Sequence, residues 1–91
     1  MKYAIIQTTR YKKELKKVLK RGNDINLIKA VVLKLANGVS LEVKHRDHPL
    51  AGSYAGFREC HITPDWLLIY LIENDIMTLT LTRTGSHSDL F

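Results

Sequence analysis

Proton transfer near neutral pH is the chemistry to which histidine is best suited, and all four histidines of this chain lie after residue 44. Each one alone is more often an ordinary surface or hydrogen-bonded residue. The group is more informative because the same half of the chain contains an aspartate in a turn-like sequence and the arginines Arg58 and Arg83. The candidates for acid–base work on a phosphodiester are His48, His61, Asp65 and His87, with Arg58 and Arg83 as cations for the phosphate.

Cleavage of RNA without a metal ion needs a base for the ribose 2′-hydroxyl and an acid for the departing 5′ oxygen. Histidine and aspartate can fill these two roles, and arginine can bind the phosphate through its bidentate fork. Trp66 can stack on an exposed base, but it also opens an apolar run and can equally belong to the core. The sequence leaves both interpretations of Trp66 open.

Other chemistries have weaker support. His45 and His48 have some metal-ligand character in their spacing, yet no cysteine or carboxylate completes a set at the usual spacing. Cys60 is the only cysteine, and it has no nucleophile signature around it. A glycine-rich phosphate loop is absent. We therefore expect neither a metal site nor a cofactor.

The positive charge of the chain is concentrated in residues 10–21, RYKKELKKVLKR. Seven of the 14 basic residues lie here beside one acid, so the segment carries +6 while the whole chain carries +5. At helical spacing one side is apolar and the other is basic, which is typical either of a solvated helix surface or of a face that binds nucleic acid. The apolar stripe is Tyr11, Leu15, Val18 and Leu19, and the lysines that could face phosphates are Lys12, Lys13, Lys16, Lys17 and Lys20.

The elements that must position these side chains begin with a strand over residues 3–8 and the basic helix. A second helix is predicted from residue 25 to about residue 37, with apolar residues along one stripe. The start and stop signals are Thr8 or Thr9 and Gly22 for the first helix, and Asp24 and Gly38 for the second. Residues 39–56 are irregular, and a long loop in a small chain is more often functional than incidental.

Three strands are predicted in the second half, over residues 57–62, 66–73 and 76–83. The middle one is apolar at nearly every position, as in a central strand, and Asn74–Asp75 indicates a tight hairpin after it. The last strand alternates, which places Met77, Leu79 and Leu81 on its buried face. The order β-α-α-β-β-β predicts an α+β fold in which a helical hairpin packs on a small, mainly antiparallel four-stranded sheet.

Length and composition set the remaining bounds. With 91 residues, no linker and no repeat, the chain is expected to form a single domain over residues 1–91. No apolar run has the length of a membrane span, and the N-terminal run is too short for a signal peptide. One cysteine excludes an intrachain disulfide and fits a reducing compartment. We expect a cytoplasmic protein.

Two segments resemble the YafQ branch of the RelE-type toxins. Residues 47–70, DHPLAGSYAGFRECHITPDWLLIY, are similar to the central motif of that branch, and residues 83–91, RTGSHSDLF, match its terminal pattern. The order of elements agrees with the RelE-like fold along the whole chain. The resemblance implies a toxin of a bacterial type II toxin–antitoxin pair, with an antitoxin as partner. It also implies a metal-independent endoribonuclease that cuts mRNA in the ribosomal A site and so inhibits translation.

The resemblance also implies roles for individual residues. His87 is expected to be the general acid, and the base is Asp65, His48 or His61. Arginines at 83 and 58 are expected to steady the phosphate, although Arg58 and His61 have opposite parity in a regular strand. The other family positions that are matched here are Trp66 and Phe91, of which Phe91 is expected to hold the mRNA or shape the site.

Two further hypotheses compete with the nuclease. In one, the chain is a non-catalytic module that binds RNA or the ribosome through the helix at residues 10–21. In the other, the basic face only holds an acidic partner protein. The antitoxin of the first hypothesis would itself be an acidic segment that folds on binding.

Overall fold

A computed structural model describes all 91 residues of the chain, Met1–Phe91. Two single-turn 3-10 helices, Val43–His45 and Gly52–Tyr54, lie in the long connection after the helical hairpin. The strands and α-helices in chain order are β1 (Ala4–Gln7), α1 (Thr9–Lys20), α2 (Ile25–Ala36), β2 (His48–Pro49), β3 (Arg58–Thr63), β4 (Trp66–Glu73), β5 (Thr78–Gly85) and α3 (His87–Leu90).

The sheet has five strands in the order β1-β5-β4-β3-β2, and only the β1–β5 pair is parallel. The α+β class and the mainly antiparallel sheet are confirmed, whereas the expected number of four strands is too low. The additional strand is β2, in which His48 pairs with Glu59 and Pro49 with Arg58. Two residues are too few to show the period of two by which a strand is recognised in a sequence.

Local signals set the ends of both long helices as predicted. The Thr8 hydroxyl accepts the Tyr11 amide at 2.9 Å at the start of α1, and the Asp24 carboxylate accepts the Asn26 amide at 2.9 Å at the start of α2. Gly22 follows α1 with φ +93°, a left-handed conformation that favours glycine.

The apolar sides of α1 and α2 cover one face of the sheet, which we call the helix face. The buried residues there come from both helices and from alternate positions of the strands. The predicted stripe of α1 is confirmed, because Tyr11 and Val18 are buried while Leu15 and Leu19 pack against the same core. The opposite face, which we call the site face, has a much smaller apolar cluster of Leu67, Ile69 and Leu90.

A bulge in β5 decides which side chains reach each face. Tyr70 of β4 pairs with Leu81 and Ile69 pairs with Arg83, so Thr82 has no partner opposite it. The period of two is therefore interrupted after Leu81. As a result Arg83 lies on the site face beside Ile69, while Thr84 points into the core.

The turn before β5 is longer than predicted. Four residues, 74–77, connect β4 to β5, in place of the tight two-residue hairpin expected at Asn74–Asp75. Met77 has a left-handed φ of 51° and is exposed, so its predicted place on the buried face is wrong, whereas Leu79 and Leu81 are buried as predicted.

Trp66 belongs to the core of the helix face. Its side chain is only 2% exposed, and its Nε1–H donates to the Thr84 hydroxyl at 2.9 Å. The Thr84 hydroxyl in turn donates to the Leu67 carbonyl at 2.7 Å. Of the two interpretations that the sequence allowed, the core residue is the one that the structure has, and no face of this indole is free to stack on a base.

None of the helices combines the length and the apolar character that a membrane span requires.

Replacing Thr84 by valine removes both hydrogen bonds from the core while nearly keeping the side-chain volume. We expect Thr84→Val to lower the free energy of unfolding by about 1–3 kcal/mol, because the Trp66 N–H is left buried without an acceptor. Urea unfolding followed by the fluorescence of this single tryptophan measures the loss. Thr80→Val is the matched control, since Thr80 is half-buried on the same strand. Equal stabilities of the two variants would contradict the prediction.

Candidate active site

The candidate site lies on the site face, where neighbouring strands present one row of side chains. The register pairs His48 with Glu59, Glu59 with Ile69, and Ile69 with Arg83 across β2 to β5. Residues that are paired across antiparallel strands point to the same face. His61 lies on this face as well, two residues after Glu59 on β3.

Glu59 is a member of the site that the sequence analysis missed. Its side chain is buried, with 4% exposure, and its Oε1 lies 3.5 Å from His48 Nε2 and 4.0 Å from His61 Nε2. Its Oε2 is buried without a hydrogen-bond partner. The signal for Glu59 in the sequence is its spacing of two residues from His61, which places both side chains on one face of a strand.

Of the three histidines in the candidate site, His48 and His61 are oriented by backbone carbonyls. The Arg46 carbonyl lies 2.5 Å from His48 Nδ1, and the Pro64 carbonyl lies 3.3 Å from His61 Nδ1. A carbonyl oxygen only accepts, so in both rings this contact assigns the proton to Nδ1. Nε2 of each ring is then the atom that can take up a proton, and the Glu59 carboxylate is beside it. This is the arrangement in which a carboxylate stabilises a newly formed imidazolium.

The third histidine comes from α3, which packs on the same face through Leu90. The His87 ring is exposed, and its centroid lies 6.5 Å from that of His61 and 5.6 Å from that of Phe91. Phe91 is 62% exposed, and its ring centroid lies 6.4 Å from that of Tyr54 with the two ring planes at 75°. The structure therefore brings His48, His61, His87 and Phe91 together at one exposed surface.

Arg83 reaches the site face, but its guanidinium is not free. It is 8% exposed and donates to the Glu14 carboxylate, with Nη2 at 2.6 Å from Oε2 and Nε at 3.2 Å. Further donors bind the Tyr54 hydroxyl at 3.1 Å and the Asp89 carbonyl at 3.4 Å. The hydrogen bond to Glu14 raises the pKa of Arg83 above its ordinary value. The expected role of Arg83 as a free phosphate ligand is therefore corrected, because Glu14 already occupies its fork.

Arg58 lies outside the site. It points to the helix face with Cys60, and its Nε pairs with Asp47 Oδ1 at 3.3 Å. Asp47 also accepts the Tyr70 hydroxyl at 2.5 Å. The irregularity in β3 falls after His61, between its pairings with β4 at His61 and Thr63, and so does not bring Arg58 to the site face. The expectation that Arg58 binds the phosphate is wrong for this reason.

Asp65 is exposed in the turn between β3 and β4, at the end of the sheet where the Pro64 carbonyl contacts His61. It lines a small cavity of about 130 Å³ together with Arg21 of the segment after α1 and Ser86 before α3. Asp65 is thus near the base of α3, on its Arg21 side.

A larger polar cavity of about 310 Å³ separates α1 from β5 and α3. Its lining includes the Glu14–Arg83 pair and contains no apolar side chain. The cations are Arg10, Lys13, Lys17 and Arg83, and the five lysines singled out on α1, Lys12, Lys13, Lys16, Lys17 and Lys20, are all exposed. A basic surface therefore continues from α1 to the edge of the candidate site.

Comparison with known proteins decides the family. A family model described as the bacterial toxin of a type II toxin–antitoxin system, YafQ, matches residues 3–91. The chain belongs to the YafQ family. The resemblance expected from residues 47–70 and 83–91 is thereby confirmed.

Individual relatives of the family agree with this assignment. The chain is 40% identical over 82 residues to the mRNA interferase toxin YafQ of Escherichia coli K12, a match that covers 89% of this chain and 87% of that protein. A metal-bound toxin from Helicobacter pylori has a TM-score of 0.92 and 45% identity, over 98% of this chain and 99% of its own. A chain of the E. coli DinJ–YafQ toxin–antitoxin complex has a TM-score of 0.89 and 37% identity, over 100% and 99%.

The ion pair between Glu14 and Arg83 can be tested by its effect on stability. Glu14→Gln leaves a nearly buried guanidinium without its counter-charge, so we expect the free energy of unfolding to fall by about 1–3 kcal/mol. Urea denaturation measures the difference. Glu42→Gln is the matched control, since it removes the carboxylate of an exposed pair with Lys34 and is expected to change stability little. Equal losses in the two variants would show that Glu14 has no special role.

Proposed function

We propose that this YafQ-family chain is an mRNA endoribonuclease toxin that acts on the ribosome, cuts mRNA in the A site without a metal ion and is neutralised by an antitoxin. The observation that carries the proposal is the meeting of three histidines and one buried carboxylate at an exposed surface. Two of these imidazoles carry the proton on Nδ1 and hold Nε2 beside the Glu59 carboxylate, and the third is on the separate helix α3. A base and an acid on different elements are what cleavage through the 2′-hydroxyl needs.

In the proposed mechanism His87 donates a proton to the departing 5′ oxygen. His61 or His48 takes the 2′-hydroxyl proton at Nε2, and Glu59 then stabilises the imidazolium. Asp65 stays an alternative base, in keeping with its place at the same end of the sheet. Phe91 offers an exposed ring beside His87 against which a nucleotide can pack.

The phosphates of the RNA are proposed to bind the basic surface formed by α1 and the adjoining cavity, beside the candidate site. Phosphates gain affinity from lysine and arginine by counterion release, and α1 and the adjoining cavity offer these side chains in number. We assign Lys12, Lys13, Lys16, Lys17 and Lys20 to docking on ribosomal RNA. Trp66 and Arg58 have no part in this mechanism, because one is in the core and the other is on the opposite face.

The antitoxin proposed for this chain is an acidic protein. The E. coli relative forms a toxin–antitoxin complex with DinJ, and the +6 charge of residues 10–21 favours a partner of opposite charge. Such a partner can neutralise the toxin by covering the docking lysines even where it leaves the histidines uncovered.

Cleavage of mRNA by purified protein tests the nuclease. We expect wild type to cut mRNA on programmed ribosomes, to leave free mRNA intact and to be insensitive to EDTA. His87→Ala should lower the cleavage rate by at least about 100-fold, as expected for loss of a general acid. Because the H. pylori relative is described as metal-bound, each assay is run with EDTA and again with added divalent metal. A requirement for metal would refute the proposed mechanism.

The identity of the base follows from His48→Ala, His61→Ala and Asp65→Ala in the same assay. Loss of the base removes the acid limb of the pH–rate profile, whereas loss of a residue that only shapes the site lowers the whole profile. Asp75→Ala is the control for Asp65→Ala, because Asp75 is also an exposed aspartate in a turn.

Reversal of charge on α1 separates docking from chemistry. We expect Lys16→Glu with Lys17→Glu to raise the ribosome concentration needed for half-maximal cleavage at least about tenfold, by removing phosphate contacts. The maximal rate should change much less. If wild type binds ribosomes through these lysines but never cuts mRNA, the chain is the non-catalytic binding module instead.

A further inference from the structure

Helix α3 is a single turn, too short to be stable on its own. It nevertheless carries His87, and Phe91 follows directly after it. The place of both side chains therefore depends on what holds this turn against the rest of the molecule. Leu90 packs on Leu67 and Ile69, but this apolar contact alone does not fix the orientation of the turn.

Asp89 supplies the further contacts through both its side chain and its backbone. Its carboxylate accepts two hydrogen bonds from Arg21, at 2.6 and 3.1 Å, in a bidentate pair. The same carboxylate accepts the Ser86 amide at 2.9 Å, while the Asp89 amide donates to the Ser86 hydroxyl at 3.2 Å, which completes a capping box. The Asp89 carbonyl accepts from Arg83 at 3.4 Å.

The backbone at Gly85 packs closely against the Asp89 side chain. A Cβ atom on Gly85 would lie 2.9 Å from the Asp89 Cβ and 3.0 Å from its Oδ2. Only glycine therefore lets β5 lead into α3 with the Asp89 carboxylate folded back over it. The hydrogen bond from Arg21 is also the main reason why the pKa of Asp89 is held well below its usual range.

Arg21 joins α3 to two other parts of the site. It follows the last residue of α1, and it lines the small cavity with Asp65 and Ser86. Its guanidinium thus lies among the end of the docking helix, the turn that carries Asp65 and the start of α3. Arg83, which also binds Glu14 and Tyr54, donates to the backbone of α3 at Asp89.

We propose that Arg21 and Asp89 form an ionic clamp that sets the position of His87 and Phe91 for the reaction. Both are positioning residues, because neither is placed where it would touch the reacting atoms. The proposal rests on the proposed function in one respect, namely that the reaction is cleavage of mRNA. It adds that the end of α1 holds the C-terminal turn in place. The helix that docks on RNA, α1, is then directly connected to α3, which carries the general acid His87.

Two variants that break the clamp have opposite effects on net charge. Arg21→Gln removes one positive charge and Asp89→Asn removes one negative charge, so a loss shared by both cannot come from altered attraction to RNA. Asparagine keeps an oxygen that can cap the Ser86 amide. Arg21→Lys is the conservative variant that restores the charge with fewer donors. Lys34→Gln breaks an exposed ion pair far from the site and is the matched control.

The first readout is single-turnover cleavage of mRNA across a range of ribosome concentrations. We expect both Arg21→Gln and Asp89→Asn to lower the maximal rate roughly tenfold, the scale of a misplaced catalytic group. Arg21→Lys should recover part of the rate, and Lys34→Gln should cleave like wild type. A loss confined to the half-saturating ribosome concentration, or a maximal rate that equals that of wild type, would overturn the clamp.

The second readout does not depend on activity. Hydrogen exchange of the backbone amides of Asp89, Leu90 and Phe91, which donate within the C-terminal turn, reports how firmly α3 is held. We expect exchange at these amides to be about tenfold faster in Arg21→Gln and Asp89→Asn, with exchange in β4 unchanged. Unchanged exchange at α3 would overturn the proposal even if cleavage were slower.

These readouts separate the clamp from the proposed function. If wild type does not cut mRNA at all, the proposed function fails, and faster exchange at α3 then supports the clamp only as the device that orders this turn. If wild type cuts mRNA and the variants exchange faster at α3 but cut at the wild-type rate, the nuclease stands and the clamp is refuted.

Discussion

A single extra residue in β5, Thr82, determines which side chains at the end of this strand lie on each face of the sheet. Because Thr82 has no partner in β4, the side chains that follow it are turned to the faces opposite to those that regular alternation would assign. Arg83 thereby reaches the site face, and Thr84 reaches the core, where it accepts the Trp66 N–H. The Thr8 hydroxyl donates to the Thr82 carbonyl at 2.8 Å, beyond the last pairing of β1. The bulge is thus tied to the start of α1 as well as to the site.

Helix α1 divides its side chains among three tasks. Its apolar stripe fills the core, its lysines face solvent, and Glu14 reaches around the edge of β5 to Arg83. This last contact is possible because β1 pairs only as far as Leu81 and leaves the end of β5 without a strand beside it. A helix that carries many like charges gains from one inward carboxylate, since that carboxylate compensates a nearly buried arginine. The basic surface and the candidate site are therefore parts of one ionic arrangement.

Much of this structure could be predicted from the sequence because it depends on neighbours in the chain. The caps at Thr8 and Asp24, the left-handed Gly22 and the stripe of α1 are local features, and all were predicted correctly. The candidate histidines lie near one another in the structure, as the sequence analysis expected of strand ends and turns that converge. Two of the errors share a cause, because they depended on contacts between distant segments. β2 exists only because β3 offers it an edge, and the fork of Arg83 is occupied by Glu14 from α1.

Glu59 and Trp66 show the same limit for the site itself. The sequence left Trp66 open between stacking and the core and gave no reason to single out Glu59, and burial decides both cases. Trp66 is hidden because Thr84 satisfies its N–H, and Glu59 is buried because two histidine rings lie beside its carboxylate.

By itself, the sequence determined the order of six of the eight strands and α-helices, the concentration of positive charge on one helix and the residue types available for acid–base chemistry. These follow from periodicity, capping and composition, which act over a few residues. Only the tertiary structure decided which arginine reaches the site face, which carboxylate joins the histidines and how a four-residue C-terminal turn is held. The physical reason is that strand register and ion pairing join residues far apart in the chain, and a one-residue shift in register sends a side chain to the other face.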